Sequence, residues 1–248
     1  MEPAEYGTLF SLEQDYWWFR ALRAVLADAQ GAAGLPTNAR VLDAGCGTGM
    51  LAAALQRSGA RVFAFDRAAE ASHYWSRRGL TTACRGSVNE IPFGSDTFDA
   101  VFAVDLLECD GVEEQQACVE LLRVVRPGGY VFLVVPAYDW LMSPEHHRAV
   151  HASRRYTRSR ITAALTAMPA RVVRATHLFM TVFPPIAVYR VWRSLQGPTA
   201  IPRSELRAMS PWVDTLLFAL TDWERVLLRR VDLPIGSSIL VVLHRRHE

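Results

Sequence analysis

Residues 41–49 read Val-Leu-Asp-Ala-Gly-Cys-Gly-Thr-Gly and constrain the fold more tightly than any other stretch of the chain. Two apolar residues lead into an acid, glycines follow at every second position, and an Ala/Leu-rich segment (50–56) comes next. An apolar run that opens into glycines and then into helix formers reads as strand, tight turn, helix. Glycine permits positive φ and lets a ligand come close to the main chain. In an open α/β sheet such a turn lies at the carboxyl ends of the strands, where ligands bind.

The rest of the chain keeps that rhythm. Helix 50–57 leads to Arg61-Val62-Phe63-Ala64-Phe65-Asp66, an apolar strand ending in an acid. Then come helix 69–78, a short strand 81–85, strand 98–104, and helix 112–125 stopped by Arg126-Pro127-Gly128-Gly129. Strand 130–135, helix 158–168, strand 171–177 and a last strand 238–243 complete the pattern. Strands alternating with helices in this way predict an α/β, Rossmann-like, parallel doubly wound sheet of about seven strands. The predicted organisation is one domain over 1–248. A helical cap (1–36, with 5–30 read as one helix) precedes the core (37–177 and 234–248), and a helical insertion (178–233) interrupts it before the last strand.

The glycine spacing narrows the ligand. The dinucleotide fingerprint is G-x-G-x-x-G, with its pyrophosphate on a helix N-terminus. Here the last two glycines are one residue closer, and Asp43 stands ahead of the first. The run resembles the first motif of class I S-adenosylmethionine (SAM) methyltransferases. SAM carries an amino group and a sulfonium and no pyrophosphate, so acids beside the loop suit it. Asp66 follows Gly45 by 21 residues, where an acid at the tip of the second strand can accept hydrogen bonds from ribose hydroxyls. NAD has the same ribose, so Asp66 does not choose between the two.

The resemblance then extends. The words Ile91-Pro92-Phe93, Phe98-Asp99-Ala100-Val101 and Arg126-Pro127-Gly128-Gly129 follow in the order and spacing of class I SAM methyltransferases acting on small molecules, covering residues 40–136. Weaker echoes of one bacterial subfamily lie in Trp17-Trp18-Phe19, Arg154-Arg155-Tyr156-Thr157, Phe183-Pro184-Pro185 and Pro234-Ile235-Gly236-Ser237-Ser238. The resemblance implies SAM as cofactor, with Asp43, Gly45, Cys46, Gly47 and Gly49 forming its loop. It implies Asp66 and Arg67 at the ribose, Ser87 and Val88 at the adenine, and Asp105 and Leu106 near the amino group. The chain departs from the pattern at Ser87, where Asp is usual, and at Cys109, where Glu-His is common. It departs again at Leu22, where Arg is frequent, which leaves Arg20 or Arg23 to hold the carboxylate. Trp17 and Trp18 either pack the cap against the core or form a lid over the cofactor.

Methyl transfer from SAM needs alignment of nucleophile and methyl, and a base where the acceptor must lose a proton. Candidates are His146, His147, His151 and Tyr156, all within twenty residues of the end of the fifth strand. His151 ranks first because it matches the subfamily's histidine before Arg-Arg-Tyr-Thr, displaced by the extra Ser153. No metal site is suggested: Cys46, Cys84, Cys109 and Cys118 form no C-x-x-C pair.

Composition excludes other classes. All 27 basic residues are Arg, which removes Schiff-base chemistry on a lysine and the Tyr-x-x-x-Lys pair of one oxidoreductase type. A net charge of +2 gives no bias toward nucleic acid. The start of the chain lacks a secretory pattern, and no apolar run has the ~18 residues of a membrane span, so a cytoplasmic protein is expected. The insertion is apolar, with Phe179, Phe183 and Tyr189 in its first part and Leu216, Leu217, Leu220, Trp223, Val226 and Leu227 on one helical face of its second. A wall for an apolar small-molecule acceptor ranks first among its uses, a homodimer interface second, membrane contact third. The expected function is methyl transfer to a small-molecule or lipid-like acceptor. The alternative is a SAM-binding protein running a different SAM-dependent reaction or serving as a non-catalytic partner.

Overall fold

The computed structural model describes residues 1–142, 148–195 and 206–247. Helices α1 (Pro3–Leu12) and α2 (Trp17–Ala32) precede β1 (Arg40–Ala44). Then follow α3 (Met50–Arg57), β2 (Arg61–Asp66), α4 (Ala69–Trp75), β3 (Ala83–Arg85), β4 (Phe98–Val104), α5 (Glu114–Val124) and β5 (Val125–Pro136). The second half holds α6 (Arg158–Thr166), β6 (Ala170–Leu178), α7 (Phe183–Leu195), α8 (Pro211–Leu228) and β7 (Ser238–Arg245). The seven strands lie in the order β3-β2-β1-β4-β5-β7-β6. The chain winds outward from β1 in one direction and from β4 in the other, so the crevice between them, at the carboxyl ends, is the place for a ligand.

Alternate residues of the central strands feed two cores. Val41, Phe102, Phe132 and Val134 face α2, α3 and α4, while Leu42, Val101, Val131 and Leu133 face α5 and α6. A strand covered on both faces must be apolar on both, which is why these segments read as continuous hydrophobic runs.

Three expectations need correction. The sheet is mixed, because β7 runs antiparallel to both β5 and β6. A residue pattern that is apolar on both faces carries no record of strand direction, and the long connection from β6 permits a return beside it. The cap is two helices, broken at residues 13–16. Arg23 Nη1 donates to Glu13 O and Nη2 to Gln14 O (both 2.7 Å), taking carbonyls that a continuous helix would use itself. Residues 126–129 are an excursion inside β5: its pairing with β4 passes from Phe98↔Val125 to Ala100↔Tyr130.

The insertion is held to the cap as well as to the core. Asp214 of α8 accepts from the Trp17 N–H (2.7 Å) and pairs with Arg20 (3.3 Å), so α8 supplies the N-terminal cap that α2 lacks in its own sequence. Arg225 and Arg229 both bind Asp28 (2.6 and 2.9 Å). Buried Glu224 accepts from Phe179 N–H (2.6 Å) and Thr181 N–H (2.7 Å), fixing the turn into α7, where Phe179 has φ +67°. No helix among the described residues is long and apolar enough to cross a membrane.

Candidate functional site

The glycine run turns the chain sharply between β1 and α3. Gly45, Gly47 and Gly49 take φ of +72°, +53° and +90°, values a side chain would strain. A Cβ on Gly45 would also sit 2.6 Å from Leu106 Cδ1. The loop is pinned from its neighbours. Gly45 and Cys46 N–H donate to Phe65 O (both 2.9 Å), Gly47 N–H donates to Asp66 Oδ2 (2.8 Å), and Trp75 Nε1–H donates to Gly47 O (2.9 Å). Asp66 Oδ1 accepts from Ala68 N–H (2.9 Å). Each Asp66 oxygen thus takes one backbone donor and keeps a lone pair for a hydroxyl.

Acids converge on this loop. Asp43 is buried, and its Oδ2 has no hydrogen-bond partner. Burial is the main cause that raises its carboxyl to about 7, with the charges of Asp66 and Glu13 adding to the effect. Asp105, left-handed at φ +46°, follows β4; burial raises it to about 6, opposed by Arg155. Glu108 is buried with Oε2 unpartnered, and burial together with Asp105 pushes its carboxyl well up. Glu13 also faces the loop: buried, it accepts from Thr48 Oγ1 and from Arg78 Nη2 (2.8 Å). Burial raises its carboxyl against those two partners. Orphaned carboxyl oxygens and a loop with no tolerance for Cβ make a cradle for a small cation that also presents hydroxyls. The SAM amino group, sulfonium and ribose fit that donor and acceptor set.

These groups open into one cavity of about 690 Å³. The predicted cofactor residues Asp43, Gly45, Cys46, Gly47, Asp66, Arg67, Ser87, Val88, Asp105, Leu106 and Arg23 all line it. Gly49 shapes the turn from behind, where a Cβ would meet Leu80 at 2.5 Å. The Arg23 donors described above go to carbonyls 13 and 14, so its position is fixed by the cap. The cavity continues past the loop into an apolar chamber bounded by Trp17, Trp18, Val182, Ile186, Tyr189 and Leu217. Trp17 packs edge-on against Phe179 at 6.0 Å and Trp18 tilts over it at 5.8 Å, so both tryptophans join the core and wall the cavity.

The four candidate bases separate. His151 lines the cavity at φ +53°, with Nε2 2.8 Å from Glu2 Oε1. Tyr156 is fully buried outside it. Its hydroxyl donates to Glu114 Oε2 (2.9 Å), and burial with the Glu114 charge drives its pKa far up. That geometry makes Tyr156 a buttress between β5 and α5, not a group open to an acceptor. His146 and His147 lie outside the described residues. Phe179 and Phe183, expected in the acceptor wall, are core residues; Tyr189 does line the cavity. Sequence reasoning passed over Glu13, Glu108 and Arg155. The signal for Glu108 was its place just past β4, at the carboxyl edge, between apolar neighbours where a charge is costly.

Comparison with known proteins agrees with this geometry. Residues 42–133 match the family described as "Methyltransferase domain". The match takes in the glycine loop, Asp66 and the strands from residue 42 in β1 to residue 133 in β5. Demethylmenaquinone methyltransferase of Mycobacterium tuberculosis (strain ATCC 25618 / H37Rv) is 36% identical over 124 residues, 50% of this chain and 49% of that protein. Ubiquinone biosynthesis O-methyltransferase of Methylocella silvestris is 42% identical over 100 residues, 38% of each chain. The chain thus spans about half the length, or less, of these curated relatives. Among solved structures, an S-adenosylmethionine-dependent methyltransferase from Mesorhizobium loti superposes with a TM-score of 0.60 at 15% identity, covering 94% of this chain and 100% of that one. At that identity the likeness speaks for the fold alone.

Proposed function

We propose that the chain transfers a methyl group from SAM, by in-line displacement, to a small and largely apolar acceptor. The observation that carries this reading is the continuity of one cavity from the acid-lined glycine loop into the apolar chamber between α2, α7 and α8. The partial relatives named above are methyltransferases of quinone biosynthesis, which supports an acceptor with an apolar part. The Trp17-Trp18-Phe19 and Arg154-Arg155-Tyr156-Thr157 echoes support a reading of the chain as a member of one bacterial branch of these enzymes. We read 1–248 as a single domain, cytoplasmic, with 37–177 and 234–248 as core and with 1–36 and 178–233 closing the acceptor side.

When bound, SAM supplies a methyl group already activated by its sulfonium. The work left to the chain is to bind, orient and dry the site. Asp66 receives the ribose hydroxyls with the lone pairs left by Gly47 and Ala68. Asp43 and Asp105 offer negative charge to the cationic end. Trp17, Trp18 and Leu217 exclude water from the reacting centre, and alignment of this kind contributes roughly 7–11 kcal/mol to such reactions. His151, oriented by Glu2, accepts the acceptor's proton. Its place in the cavity wall supports it over Tyr156.

The test is formation of S-adenosylhomocysteine by the purified protein given SAM and a lipid-soluble metabolite extract, followed by mass spectrometry of the methylated product. His151→Ala should cut turnover at least tenfold with SAM affinity unchanged. Unchanged turnover would return His151 to structure, and SAM binding without any methylated product would favour the alternative of a non-methylating SAM protein.

A further inference from the structure

The two helices of the insertion leave rows of large apolar side chains exposed. On α8, Trp212, Leu216, Leu220, Trp223 and Val226 recur at helical spacing and all face solvent, Trp212 at 71% and Trp223 at 63%. Leu217 and Leu227 turn inward instead. On α7, Val188 (70% exposed), Tyr189, Val191 and Trp192 form a second exposed group. Single exposed apolar residues need no explanation; contiguous rows do.

Charge and composition say what covers them. Tryptophan and tyrosine favour the boundary between water and lipid, where an apolar ring and a polar N–H or O–H are both satisfied. Four of the nine exposed residues just named are Trp or Tyr. Residues 183–231 hold seven arginines against four acids. The described acids are engaged within the protein: Asp214 with Trp17 and Arg20, Asp222 with Arg225, Glu224 with the turn at Phe179 and Thr181. Arg225 and Arg229 are engaged as well, with Asp222 and Asp28, which among the described residues leaves exposed Arg207, shortly before α8, and Arg230, just after it, as the positive charge presented to solvent. An excess of positive charge beside apolar rows complements acidic lipid headgroups. In a two-fold dimer through the same face that excess would oppose itself.

Both helices also line the cavity, α7 through Pro185, Ile186, Tyr189 and Arg190 and α8 through Leu217, with Leu206 and Met209 just before it. We propose that the outer faces of α7 and α8 dock on an anionic phospholipid surface, from which an amphiphilic acceptor enters the cavity between them. The acceptor half of this statement rests on the proposed methyl transfer; the docking half does not.

Sedimentation of the full chain with vesicles separates the two. We expect binding to vesicles of phosphatidylglycerol and phosphatidylcholine, weakened at least tenfold on phosphatidylcholine alone and weakened by salt. The double variant L216E/W223E should lose at least tenfold in vesicle binding while keeping its melting temperature and SAM affinity, since both side chains point to solvent. R207E/R230E should lose most of the preference for the anionic vesicles. Absence of vesicle binding, equal binding to both vesicle types, or an L216E/W223E variant that binds as the parent does would each overturn the proposal. Sedimentation equilibrium showing a dimer that L216E/W223E dissolves, without vesicle binding, would reassign the face to self-association. SAM titration by calorimetry on the same preparations reports on the cofactor reading independently of either outcome.

Discussion

Asp43 shows how a single buried acid couples binding to protons. Its folded-state pKa of about 7 lies above the ordinary 3.8 because burial penalises the charged form. The protonated form therefore favours folding, and stability falls as pH rises from about 4 toward 7, levelling off above that, by on the order of 4 kcal/mol at most. A cation in the cradle reverses the preference. Calorimetry at pH 6.5 in two buffers of different ionisation enthalpy should show a proton released when SAM binds, and Asp43→Asn should abolish the release. Release undiminished in that variant would place the proton on another group, such as Asp105. Asp66→Ala should weaken SAM by about 1.5–3 kcal/mol, the range for hydrogen bonds to a charged partner. It should also loosen the free loop, because Gly47 and Ala68 lose their acceptor. Affinity equal to the parent's would move the ribose elsewhere. Asp43, Asp66 and the glycines were legible in the sequence because each sits at a fixed offset from a strand end. Glu13 and Glu108 were not. Their meaning comes from being buried beside the loop by residues 35 and more positions away, and such proximity leaves no local pattern.

The elements were legible where one physical signal dominated. Helix α3 and strands β1, β2 and β4 lie where the apolar runs and the glycine turns put them. The break between α1 and α2 was hidden because the side chain that satisfies its carbonyls, Arg23, comes from ten residues downstream, and the direction of β7 because a doubly buried strand looks alike either way. The insertion misled most. An apolar stripe on α8 looks like a packing face, but α8 is held by its polar groups, Asp214, Glu224 and Arg225, and leaves much of the stripe outside. Glu224→Ala should therefore cost about 3 kcal/mol and lower Tm by roughly 6–12 °C, since two backbone donors at Phe179 and Thr181 lose their acceptor. A thermal melt within 2 °C of the parent, by the same roughly 2–4 °C per kcal/mol, would show that the turn is held by packing alone. Phe179→Ala belongs with it as a core substitution and should lower Tm as well, with acceptor selectivity carried instead by Tyr189.

At the scale of the molecule, the sheet brings a cation cradle to the crevice between β1 and β4, and the insertion extends that crevice into an apolar chamber. On the proposed reading, the acid-led loop, the orphaned carboxyl oxygens of Asp43 and Glu108 and the carboxylate of Asp66 serve one ligand. NAD would bring a pyrophosphate to a loop ringed by acids, at an electrostatic cost that SAM does not meet. The loop thus discriminates between two ribose-bearing cofactors. Isothermal titration of the purified chain with SAM, S-adenosylhomocysteine and NAD tests it most directly. Saturable binding of SAM and of S-adenosylhomocysteine is expected at one site per chain, with no heat from NAD and with SAM binding lost in Gly47→Val, where φ is +53° and the loop needs an unencumbered backbone. Binding of NAD with none of SAM would contradict it.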